Sequence, residues 1–215
     1  MALKSAQMAG MQVPRETLEK AAAFLKSMER PDQGYYYQRP GYSAPEGHTQ
    51  PIGSVMTAIG IVCRQYLQGQ STGGVANEHP RSANMLRGVD ILMKNLPQVM
   101  DKPPVYHNIP RPRYVNYYYW YYGTYAMLGV GGDEWKQWNP KVRDLLVSLQ
   151  NQGDKDSALQ GSWDPEGAQL LEMVGRNGCT SLALLTLEVY YRHLPLNRPE
   201  LGEMAKDLDA TGRGR

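Results

Sequence analysis

The sequence is poor in phenylalanine, poor in cysteine and free of long apolar runs. No stretch approaches the roughly 18 apolar residues of a membrane-spanning helix. Lysine and arginine number 23 against 21 acidic residues, so neither sign of charge dominates. A nucleic-acid footprint would need a basic excess gathered on one face. Here the basic residues are scattered, apart from Arg111, Arg113 and the last few positions. The two cysteines, Cys63 and Cys179, are too few for a disulfide framework. Both sit in apolar helical stretches and read as small buried hydrophobes. The first residues lack the charged-then-apolar pattern of a secretory signal.

What replaces phenylalanine is tyrosine. There are 15 Tyr and 4 Trp against a single Phe. A core that needed only bulk would use Phe as readily. Tyr is favoured where a ring is buried but its hydroxyl must reach water or a partner. The composition therefore predicts a lined cavity or groove. The length of 215 residues suffices for one good-sized domain with its own core.

The apolar period is helical nearly everywhere. It predicts helices over Met1–Met11, Pro14–Met28, Ile52–Leu67, Pro80–Leu96 and Tyr117–Val130. Gly131-Gly132 closes the last of these as a C-cap. Asp133 caps a short turn, and Asn139-Pro140 opens a helix to Gln150 with Asn as N-cap. A final helix runs from Thr180 to Leu194, stopped by Pro195. Loops are expected over Pro31–Pro51, Gln68–Glu78, the proline-rich Val99–Arg113 and Asn151–Asn177. No run reads as a strand. A helical domain over 1–200 and a flexible tail over 201–215 follow.

Three helices share one pattern. Lys20 precedes Phe24-Leu25, Arg87 precedes Ile91-Leu92, and Lys141 precedes Leu145-Leu146. A base followed at i+4 and i+5 by an apolar pair places the base at a rim and the pair on the packed face. The third copy continues with Gln150 and ends in Gly161-Ser162-Trp163. The first continues with Glu29 and ends in Gly34-Tyr35-Tyr36. Alternating with these are nearly uncharged helices carrying Thr57-Ala58-Ile59-Gly60 and Thr180-Ser181-Leu182-Ala183. Amphipathic helices outside and uncharged helices inside would stack as hairpins into a curved solenoid or ring.

Lys141, Leu145-Leu146, Gln150 and Gly161-Ser162-Trp163 resemble the QW motif of squalene cyclases. Tyr119-Trp120-Tyr121-Tyr122-Gly123 and Leu187-Glu188-Val189-Tyr190-Tyr191-Arg192 are similar to bacterial, often planctomycete, prenyltransferase/squalene-oxidase repeat proteins. The resemblance implies an all-α, partial α/α-toroid in the squalene-cyclase and terpenoid-cyclase superfamily, of about three and a half hairpins. It also implies that Gln150 and Trp163 tie the end of an outer helix to the next inner one. In the first copy Glu29 stands for Gln and Tyr36 for Trp; the second copy has lost both. The chain is expected to be the C-terminal part of a larger protein or a reduced module.

The superfamily's catalytic devices are not visible. The Asp-x-Asp-Asp acid of the cyclases is absent; Asp154-Lys155-Asp156 reads as a solvated charged loop. The zinc set of the prenyltransferases would need an Asp where Asn177 precedes Gly178-Cys179. His193 would lie about 20 Å along the same helix, and His48, His79 and His107 have no paired spacing. The thioester acyl donor of complement-type toroids is missing around Gly178-Cys179-Thr180-Ser181. No catalytic residue, cofactor or metal is expected. The remaining signal is a tyrosine face formed by Tyr118, Tyr121, Tyr122 and Tyr125, joined by Glu188 and Arg192 at i,i+4 spacing on the last helix. The expectation is a non-catalytic module binding an apolar or aromatic ligand, a peptide or a partner protein on a concave face. The alternative is a piece of a cyclase- or prenyltransferase-like enzyme whose acid lies elsewhere. Met1, Leu3, Met8 and Met11 would line an open flank, so association with a second copy or with further repeats is expected.

Overall fold

The computed structural model describes residues 1–30, 34–35, 52–67, 83–100, 114–153, 157–168 and 174–189. Most of the three loops over 31–51, 68–82 and 101–113, the Asp154–Asp156 run, all four histidines, Arg192 and the tail lie outside them. Among the described residues the chain is all-α. Seven helices run α1 (Ala2–Met8), α2 (Arg15–Ser27), α3 (Ile52–Leu67), α4 (Ala83–Met93), α5 (Tyr117–Val130), α6 (Gly132–Leu149) and α7 (Gly175–Leu187). No strand occurs among these residues, only four isolated backbone bridges.

Helices α3, α5 and α7 pack in series, with α5 between the other two. Helices α2 and α4 lie on α3, and α6 lies on α5. The sequence explains who is where. Helix α5 carries no charge and is buried on most sides. Helices α2 and α6 each bury one stripe, Leu18, Ala22 and Leu25 in α2 and Trp138, Val142 and Leu146 in α6. Their other faces carry exposed ion pairs such as Arg15–Glu19 and Lys136–Asp133, which contribute little to stability.

Three joints between successive helices repeat one form. Just beyond α2, Glu29 bridges to Tyr35; beyond α4, Met100 bridges to Tyr114; beyond α6, Gln150 bridges to Trp163. The middle joint persists without Gln or Trp, because its two hydrogen bonds run between backbones: Met100 N to Tyr114 O at 3.1 Å and Tyr114 N to Met100 O at 2.8 Å. In the first joint the partner of Glu29 is Tyr35, one residue before the expected Tyr36, which lies outside the described residues.

Two further expectations are corrected. The two members of each apolar pair are not equally buried, although Leu145 still packs against the core that holds Leu146. Leu25, Leu92 and Leu146 are buried, whereas Phe24 is 54 % exposed and Ile91 and Leu145 are half-buried. Adjacent residues on a helix point about 100° apart, so a narrow stripe buries one of the two more deeply than the other. The second correction concerns α6, which does not begin at Asn139-Pro140. It starts at Gly132 and runs through Pro140. Trp138, fully buried, holds the upstream half in register with Val142 and Leu146 at i+4 and i+8. That packing outweighs the local break signal of the proline. Gly131, with φ 67°, both ends α5 and starts α6. Helix α7 likewise starts at Gly175 rather than Thr180. Arg176 in its first turn binds Asp164 Oδ2 at 2.7 Å and Ser162 Oγ at 3.2 Å.

Candidate functional site

The site is built on α5. Asn116 caps it, its side-chain oxygen accepting from the Tyr119 N–H at 2.8 Å. One side of α5 is anchored to α6. The Trp120 carbonyl accepts from Thr124 Oγ1–H at 2.6 Å, and Thr124 Oγ1 accepts in turn from the indole N–H of Trp138 at 3.0 Å. Gly123 allows this approach, since a Cβ there would overlap the Trp138 ring. On the side facing α3, the Gln65 amide N–H donates to the Ala126 carbonyl at 2.9 Å, and its side chain fills the space above Gly129. Two tyrosines are spent on structure. Tyr119 is buried and donates to the Asn95 carbonyl at 2.7 Å; Tyr117 donates to the Asp164 carbonyl at 3.4 Å.

The expected face forms a continuous array. Tyr118 and Tyr122 meet edge to face with centroids 4.9 Å apart, Tyr121 and Tyr122 at 5.0 Å, and Tyr121 and Tyr125 at 4.8 Å. These are favourable aromatic geometries. Tyr118, Tyr121 and Tyr122 are half-buried, while Tyr125 is nearly covered. From α3, Tyr66 and Cys63 join the array, both half-buried.

Burial pushes the Tyr66 phenol up to about 12, with Tyr121 and Cys63 adding to the shift. Burial also raises Tyr122 well above the ordinary phenol range, reinforced by its neighbour Tyr118, by Tyr121 and by Cys63. The Cys63 thiol is raised by burial as well. At neutral pH, then, Tyr66, Tyr122 and Cys63 are all uncharged. They offer ring faces and hydroxyls but neither an anion nor an acid of useful strength.

Of the other expected residues, Glu188 is the half-buried residue that follows α7, and Arg192 lies outside the described residues. Lys141 is exposed on α6. Gln150 Nε2 donates to the Gly161 carbonyl at 3.0 Å, and Gly161 takes φ 75°, a conformation suited to glycine. Trp163 is buried; its indole N–H donates to the Leu146 carbonyl at 2.8 Å, and its backbone N–H donates to Thr180 Oγ1 at 3.1 Å. Gln150, Trp163 and Thr180 thus fasten α6 to α7. Cys179 is fully buried, and burial together with the nearby Asp164 carboxylate pushes its thiol up to about 11. Among the described residues no three His, Cys, Asp or Glu come together as metal ligands.

Sequence reading missed Tyr66, Gln65 and Arg64. Arg64 was legible in principle, as the one charged residue in α3. It is buried, ion-paired with Glu29, and lies 5.8 Å over the Tyr35 ring. Tyr66 had no signal, because which neighbour α3 offers to α5 depends on their packing. No protein-family model, curated protein or solved structure matches the chain.

Proposed function

We propose that the chain is a non-catalytic α/α-toroid module of the kind found in the squalene-cyclase and prenyltransferase superfamily, and that its tyrosine face binds an uncharged ligand with an apolar or aromatic body. One observation carries this reading: the array of Tyr118, Tyr121, Tyr122 and Tyr125, bordered by Tyr66, is continuous yet only partly covered. Rings engaged only in core packing would be closed off, as Tyr119 and Trp120 are. A phenol held neutral and half-dry can stack on a ligand and give it one hydrogen bond without the desolvation penalty of a charge. The series α3–α5–α7 with α2, α4 and α6 around it supports the inner and outer layers of a toroid. The exposed Met1 and Met11 support association with a second copy or further repeats through an adaptable surface.

The test is fluorescence titration with N-phenyl-1-naphthylamine, an uncharged aromatic probe. Saturable binding at one site per chain is expected. The double variant Tyr118→Ser/Tyr121→Ser should weaken it about tenfold, as loss of two aromatic contacts implies. Phe24→Ser, on the outer face of α2, should leave it unchanged. Absence of saturable binding, or equal binding by the tyrosine variant, would sink the reading.

A further inference from the structure

The apolar core is not one body. The larger cluster joins α3, α4, α5, α6 and α7. A second, smaller cluster contains Leu18, Ala22, Leu25 and Met28 with Tyr35 and Leu67, and Leu3, Val13, Met56 and Cys63 pack around it. Among the described residues, α3 is the one helix with side chains in both. Its Ala58, Ile61 and Val62 belong to the larger cluster, and its Met56, Cys63 and Leu67 to the smaller. The second set recurs at i, i+7 and i+11, one stripe on the side away from the first.

The joint between these parts differs from its counterpart at α6–α7. Tyr35 donates its backbone N–H to Thr57 Oγ1 at 3.3 Å, as Trp163 does to Thr180. The residue at the end of the outer helix, however, is Glu29 rather than the neutral Gln150. It pairs with Arg64, whose side chain is 8 % exposed, and that guanidinium also covers the Tyr35 ring. Gly60 lets the Tyr35 ring lie directly on α3, because a Cβ there would overlap it. A nearly buried ion pair adds little net stability over an apolar pair, yet loses much when one partner goes. Such a pair holds the joint closed while both partners are present and loosens it when one charge is left without the other.

We propose that α1 and α2 form a cover latched to α3 by Glu29–Arg64, which opens as a unit while the larger core stays folded. Opening uncovers Cys63 at the border of the tyrosine array and widens that site on its α3 side. Small cores open locally at lower free energy than the whole molecule. The inference stands on the packing of α1, α2 and α3 and is independent of what the tyrosines bind.

Hydrogen exchange on the full chain, read with thiol labelling, tests it. In the wild type, amides of α2 should exchange about tenfold or more faster than those of α5, and Cys63 should label faster than Cys179. Glu29→Gln leaves Arg64 without its counter-charge. It should speed both α2 exchange and Cys63 labelling by about tenfold, with α5 and Cys179 unmoved. The paired replacement Glu29→Leu/Arg64→Met should restore slow exchange, since matched apolar partners need no counter-charge. The proposal is overturned if α2 and α5 exchange in step, if Glu29→Gln moves both regions equally or neither, or if the paired variant stays as open as the single one. Should Glu29→Gln not fold, the wild-type comparison and the paired variant decide the matter.

Discussion

Trp163 does two jobs that different substitutions separate. Its ring is almost wholly buried, and its indole N–H satisfies a carbonyl in the last turn of α6, where intrahelical partners run out. Trp163→Ala removes bulk and donor together and should destabilise by about 3 to 5 kcal/mol. Trp163→Phe keeps most of the bulk and should lose about 1 to 2 kcal/mol, the cost of one buried acceptor left open. Urea unfolding of the two variants checks the order; equal losses would show that the ring's bulk adds nothing beyond the hydrogen bond, and no loss in Trp163→Phe would show that the bond contributes nothing. The same logic distinguishes Phe24 from Leu25. Leu25 is 9 % exposed and Phe24 is 54 % exposed. Leu25→Ala should cost about 2 to 4 kcal/mol, while Phe24→Ser should stay within about 0.5 kcal/mol. Comparable losses would mean that Phe24 is covered in solution.

At the level of single elements, α6 shows packing prevailing over a local signal. Pro140 lacks the N–H that an interior helical position uses, and its ring crowds the carbonyl four residues back. The helix continues because Trp138 on one side and Val142 on the other are fixed in the same core. Half-buried Pro140 is then a burden within a helix held by tertiary contacts. Pro140→Ala should raise stability by about 1 kcal/mol or more, part of the roughly 3 kcal/mol by which the two residues differ in helix interiors. Thermal melts measure this. A loss of stability would mean that the proline's fixed φ contributes more than its missing bond removes. The joints make a related point. The Met100–Tyr114 joint is carried by backbone hydrogen bonds, so side-chain motifs could not reveal it.

For the whole molecule, the tyrosines set the alkaline limit. Tyr66 ionises near 10 in an unfolded chain and near 12 when folded, and Tyr122 is raised further still. Between those values the unfolded state has released protons that the folded state keeps. Stability therefore falls as pH rises, because ∂ΔG/∂pH follows the proton difference between the unfolded and folded states. The loss begins near pH 10 and, for Tyr66, is complete above about pH 12. Urea midpoints measured from pH 8 to 11 should decline, and Tyr66→Phe/Tyr122→Phe should flatten the decline relative to wild type. An unchanged slope would show that the array does not keep its phenols neutral.

How much was legible in the sequence follows from these scales. Periodicity determined the helical class and the existence of α1 to α5 within a few residues, because a 3.6-residue stripe is a property of the chain itself. The tyrosine face could also be read there, since i, i+3 and i+4 neighbours meet on any helix. Contacts between helices were decided by the tertiary structure alone. It chose Leu25 over Phe24 for burial, carried α6 through Pro140, and set Arg64 against Glu29, a residue 35 positions earlier in the sequence. It also placed Tyr66 and Cys63 beside α5 and divided the core in two. Each of these depends on which face one helix offers another. That choice is made by the summed burial of many side chains, and no local pattern records it.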